Sequence, residues 1–162
     1  MSLTAAAVAR SGPVQRQRFD RILLASEGRE ISDAAIRRVI ELANDGATVH
    51  VFSVARVHGV SFGMQVPGLL PTKQEWEQQH DLVAKAVKRL KRRGFTTEGH
   101  VLGTRKATKK IIQEARLHDS EAIVMTADPD RNRFVGDLLW TQEPQRVRRR
   151  AKKLPVYLVV DE

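Results

Sequence analysis

Three sets of residues in this chain could do chemistry, and their spacing decides how much each is worth. Ser26 and Glu27 close the run D-R-I-L-L-A-S, in which Ile22, Leu23 and Leu24 follow one another. A hydroxyl and a carboxylate at the carboxyl end of a buried strand have two uses. One is to bind a ligand, and the other is to cap the turn that follows. The second set is five histidines, His50, His58, His80, His100 and His118. They are scattered, and no pair shows metal-ligand spacing with a carboxylate. His50 and His100 fall in expected strands and read as structural. The third set is the basic residues. No P-loop, no G-x-G-x-x-G and no G-x-S-x-G elbow occurs. The chain has no cysteine, which excludes disulfides, thiolate metal sites and a cysteine nucleophile. No acid–base or nucleophile constellation is left, so the reading favours a non-enzymatic protein.

The basic residues number 28 against 19 acids, a formal charge of +9. They are clustered. Arg10, Arg16 and Arg18 precede any acid. Residues 82–110 hold Lys85, Lys88, Arg89, Lys91, Arg92, Arg93, Arg105, Lys106, Lys109 and Lys110 against Glu98 alone. Residues 146–153 hold Arg146, Arg148, Arg149, Arg150, Lys152 and Lys153 with no acid. Clusters of this kind fit an acidic partner such as nucleic acid. They also fit helix C-termini, where cations oppose the macrodipole.

The elements that position these residues follow from the apolar pattern. Residues 1–18 lack a sustained period and read as a mobile tail, and residues 19–162 read as one domain. Strands are expected at 20–26, 47–55, 95–102, 122–126 and 154–160. Ser32 is expected to cap a first helix ended by Asn44-Asp45-Gly46. Further helices are expected at 73–93, at 106–117, and from Pro144 to about 153. Residues 56–72 and 127–136 read as loops, with one helical turn at 138–140. Strands alternating with helices imply an α/β fold, an open five-stranded parallel sheet with helices on both faces. In the strand order 3-2-1-4-5, a ligand lies between strands one and four, beyond Ser26 and Thr126. Apolar runs fall short of the roughly 20 residues that span a bilayer. No basic residue precedes the N-terminal Ala/Val stretch, so the chain reads as cytoplasmic.

Three stretches in order resemble the universal stress protein family. They are D-R-I-L-L-A-S-E-G-R-E-I-S-D-A-A, V-L-G-T-R-K-A-T-K-K-I-I, and the pair E-A-I-V-M-T and L-P-V-Y-L-V-V. The resemblance covers residues 19–160. It implies the five-stranded parallel fold and a homodimer, and in many members a site for ATP. That site uses an acid after strand one, a Val in strand two, and Gly-x-x-Gly-(nine residues)-Gly-Ser/Thr after strand four. Carried over, it falls on Ser26, Glu27, Val54, Met125, Thr126, Arg131, Arg133, Gly136, Thr141 and Gln142. Glu27 stands where the family acid is usually Asp. Thr126-Ala127-Asp128-Pro129-Asp130 replaces the small glycine turn, and Thr141-Gln142 replaces Gly-Ser.

The departures have a physical cost. Pro129 and Pro144 each remove an N–H from a backbone that would cradle phosphate. Glu143, near the start of the last helix, would satisfy the dipole internally and repel a triphosphate. Asp128, Asp130 and Asp137 add like charge, which Arg131 and Arg133 partly offset. The expectation is a stress-response protein with weakened or altered binding of ATP or another adenine nucleotide. Two alternatives stand beside it: an adenine-nucleotide sensor or switch, and a basic RNA- or ribosome-associated factor. The last rests on Arg105, Lys106, Lys109 and Lys110, which open a helix where cations oppose the dipole. Residues 154–160 would be an exposed apolar edge strand in a monomer, which pairing with a second copy would cover.

Overall fold

The computed structural model describes residues 16–56, 60–61, 64–65, 71–127 and 143–161, with only the backbone of residues 56–65 for those in that stretch. Ile22, Leu23 and Leu24 form the middle of β1 (Phe19–Ser26), and none has a solvated face. A strand buried on both faces must have covered neighbours on both sides. β1 pairs in parallel with β2 (Ala43–Arg56) and with β6 (Ala122–Ala127). β5 (Thr96–Thr104) adds to β2 and β7 (Val156–Val160) to β6, giving the order β5-β2-β1-β6-β7. This is the expected 3-2-1-4-5 sheet. The numbering shifts because Val60–Ser61 (β3) and Met64–Gln65 (β4) form a small antiparallel pair inside the stretch read as a loop.

Side-chain alternation divides the core into two layers. Ile22, Leu24, Val49 and Val51 pack with α1 (Asp33–Leu42) and α2 (Lys73–Arg92). Leu23, Ala25, Phe52 and Val54 pack with α3 (Ala107–Leu117) and α4 (Glu143–Arg150). The first two helices start for a local reason. The Ser32 hydroxyl accepts from the Ala35 N–H at 3.1 Å and so caps α1. Thr72 and Glu75 form a reciprocal capping box on α2, the sequence T-K-Q-E.

Several boundaries differ from expectation. α1 ends at Leu42 and the chain passes straight into β2, so Asn44, Asp45 and Gly46 lie within a strand. The pairing steps from Phe19 opposite Ala43 to Arg21 opposite Thr48, and this irregularity takes up the extra residues of β2. Gly46 there has φ +71°, which glycine adopts without strain. Gly103 and Thr104, past the expected strand end at 102, extend β5 opposite Ala55 and Arg56. α4 starts one residue before Pro144 and stops at Arg150, and β7 begins only at Val156, after Leu154 and Pro155. The helical turn expected at 138–140 lies outside the described residues.

The charge map sorts the basic clusters. Arg89, Lys91 and Arg92 occupy the last turn of α2, and Arg148, Arg149 and Arg150 the last turn of α4. These positions favour cations locally. α3 has no acid in its first turn, and Lys106, at its N-cap, makes no side-chain cap bond.

Gly99 sets how closely α2 can approach the sheet. A Cβ at this position would overlap Val83 and Val87 of α2 and stand 3.3 Å from the Val51 carbonyl oxygen. Gly99→Ala should therefore destabilise the fold by about 1–3 kcal/mol, the usual scale for overpacking. Urea unfolding measures this, and an unchanged midpoint would contradict the close approach.

Candidate functional site

The carboxyl ends of β1 and β6 are neighbours, as the topology requires. Their polar residues are already engaged with neighbouring loops and helices. The Ser26 hydroxyl donates to the Arg29 carbonyl and accepts from the Gly28 N–H at 3.2 Å. This is the turn-capping use of Ser26 weighed from the sequence. The Glu27 side chain is 0% exposed and pairs with the Arg29 guanidinium. Gln79 of α2 holds the same loop from the other side. Its amide donates to the Gly28 carbonyl at 2.9 Å, while its Oε1 accepts from the buried Ser53 hydroxyl at 2.6 Å.

Thr126 closes the other wall. Its hydroxyl donates to the Ser32 hydroxyl at 3.2 Å and accepts from the Ser32 N–H at 3.4 Å. The end of β6 is thus fastened to the start of α1. Val54 and Met125 are fully buried and belong to the core layer beneath α3 and α4. The structure therefore brings Ser26, Glu27 and Thr126 to one end of the sheet, with Val54 and Met125 packed under it. Arg131, Arg133, Gly136, Thr141 and Gln142 lie outside the described residues.

Two further features bear on anions. Glu143, the first residue of α4, is buried; its carboxylate accepts from the Thr108 hydroxyl and, at 3.3 Å, from Arg146. A negative group therefore already stands at the start of this helix, where the backbone N–H groups would attract one. Beside the start of α1 opens a cavity of about 630 Å³, lined by Glu30, Ser32, Asp33, Arg37, Val160 and Asp161 among others. Its three carboxylates outnumber its one guanidinium, so it does not favour phosphate.

The histidines give a correction. His100 of β5, Glu114 of α3 and His118, the C-cap of α3, converge toward the C-terminal end of α3, although no metal-type grouping was expected. The His50 ring stacks on that of His118, with centroids 3.4 Å apart. Burial, with His118 adjacent, holds His50 below the ordinary histidine range. Two signals were present in the sequence. Glu114 and His118 have i,i+4 helical spacing. His50 and His100 take the same face once β2 and β5 are placed side by side.

The universal stress protein family model matches residues 18–159. The chain belongs to this family. Solved structures agree in fold. A universal stress protein from Archaeoglobus fulgidus superposes with a TM-score of 0.60 at 19% identity, covering 87% of this chain and 93% of that one. The A. fulgidus protein in complex with dAMP gives 0.55 at 17%, covering 85% and 95%. A universal stress protein in complex with cAMP gives 0.53 at 16%, covering 90% and 98%. No curated protein matches the chain. Nothing in these comparisons supports an acidic or RNA partner for the run at Arg105, Lys106, Lys109 and Lys110. Among the described residues no helix is long and apolar enough to cross a membrane.

Gln79 is the side chain that joins the Ser26–Glu27 loop to α2. Gln79→Ala leaves the buried Ser53 hydroxyl without its acceptor and should cost about 1–3 kcal/mol. Amide exchange should also quicken across residues 26–30. Unchanged exchange there would show that the loop is held by other means.

Proposed function

We propose that this universal stress protein is a non-enzymatic, cytoplasmic stress-response factor with a restricted nucleotide site. The crevice beyond β1 and β6 takes a nucleoside or nucleoside monophosphate weakly and does not hold ATP tightly. One observation carries this reading: the Glu143 carboxylate stands at the N-terminus of α4, fixed by Thr108 and Arg146. A polyphosphate drawn to that helix end would meet a fixed negative charge instead of open N–H groups. Solved relatives in complex with dAMP and cAMP support an adenine nucleotide as the ligand. Pro144, in the first turn of α4, has no N–H to offer.

The working form in this proposal is a homodimer that pairs through β7. Among the described residues β7 pairs only with β6, and Val160 is 42% exposed. An apolar strand edge open to water invites a second strand. Light scattering should give twice the chain mass, reduced to one chain mass in Val160→Lys. A single chain mass for the unaltered protein would sink the pairing.

Calorimetry tests the nucleotide reading. ATP should give no micromolar isotherm, and Glu143→Gln should strengthen ATP binding by about 5- to 30-fold, the effect of 1–2 kcal/mol of removed repulsion. A clear micromolar ATP isotherm, lost in Glu27→Ala, would overturn the proposal and restore an ordinary ATP site.

A further inference from the structure

His100, Glu114 and His118 bring three donor atoms together within 4.8 Å of one another, on two different elements. His100 Nε2 lies 3.0 Å and His118 Nε2 3.3 Å from Glu114 Oε2. In a tetrahedral zinc site with bonds near 2.0–2.1 Å, neighbouring donors stand about 3.3 Å apart. Two of the three edges therefore already have that length. The third closes by rotation of His100, which at 39% side-chain exposure has room to turn.

Burial argues that this grouping is more than a surface ion pair. Glu114 is 6% exposed, in the middle of a helix face that otherwise buries Ile111, Ile112 and Ala115. A carboxylate withdrawn from water needs strong partners. Yet Glu114 Oε2 and His118 Nε2, both shielded from solvent, make no geometrically sound hydrogen bond. The lone pairs that a cation would use are the ones left unsatisfied. Around them the His50 ring is stacked on His118, and the Phe52 ring lies 5.1 Å from that of His100. The stacking on His50 holds the His118 ring in place, as the outer shell of a metal site does, while His100 keeps its room to turn.

We propose that His100, Glu114 and His118 form a binding site for a divalent transition metal, with zinc as the best-fitting ion. Two imidazoles and one carboxylate select zinc, cobalt, nickel or copper over magnesium and calcium, which require oxygen ligands. Three protein donors leave a fourth position for water or an external ligand. The site is separate from the nucleotide crevice. α3 starts beyond the carboxyl end of β5 and runs back along the sheet, so its last turns reach the amino-terminal half of the strands. His100 pairs with Phe52, and Phe52 with Ala25, so His100 stands two strands, about 10 Å, to the side of β1 and the crevice at Ser26. A bound ion would clip β5, an edge strand, to α3.

The test uses the full chain, free of any affinity tag and stripped with chelator, titrated with zinc chloride in a calorimeter. One ion per chain is expected, with no competition from magnesium. Cobalt(II) should give the intense visible bands of a tetrahedral site. His100→Ala and Glu114→Gln, each shown to be folded by circular dichroism, should weaken zinc by at least about 100-fold, the upper range already seen for mere supporting residues. His80→Ala, on α2, should change nothing. His100 sits partly exposed on an edge strand, so its variant keeps the test valid if changes on α3 unfold the protein. Absence of a saturable one-to-one isotherm, an octahedral cobalt spectrum, or full binding in His100→Ala would each overturn the site.

Discussion

β1 runs third of five strands, and water reaches neither face of its middle. Ile22 and Leu24 are locked into one helical layer, Leu23 and Ala25 into the other. A strand so placed has no freedom of register, because a slip by one residue would exchange the two layers. Its carboxyl end is therefore a fixed point, and the polar residues that follow have fixed positions as well. Ser26 caps its own turn, Glu27 is neutralised by Arg29, and Gln79 reaches from α2 to hold the loop. Ser32 and Thr126 fasten the neighbouring strand to α1. The polar side chains at this switch point are thus engaged in the chain's own hydrogen bonds.

Under the proposed function, one fold keeps its architecture while its ligand preference changes. The sheet needs apolar residues on both faces of β1 and β6, and it has them. Phosphate recognition needs something different, namely bare N–H groups and no competing anion. In this chain a glutamate stands at the start of α4, and a proline follows it. Neither change disturbs the packing of Val147 or Ala151 behind it. Under that proposal, stability and binding rest on largely separate residues.

The layer order and the α1 cap were legible because they depend on local pattern. Three consecutive buried aliphatics make a central strand, and Ser32 before an amphipathic run makes an N-cap. Asn44-Asp45-Gly46 misled because the same residues that stop a helix can also form a bulge, and only pairing with Phe19 and Arg21 decides between them. The β3–β4 pair was hidden by the glycines and prolines around it. The histidine grouping was hidden for another reason. His50, His100 and His118 belong to three elements, and their spacing along the chain says nothing until the sheet order sets β5 beside β2 and beneath α3. Alternation along the strands, combined with the helical spacing of Glu114 and His118, contains the grouping.

The central claim is the proposal that Glu143, at the start of α4, keeps the phosphates of ATP from binding tightly. Native mass spectrometry of the untagged protein, taken from cells without added nucleotide, tests it most directly. The account predicts a dimer with no retained nucleoside triphosphate. A dimer carrying one ATP per chain would contradict it.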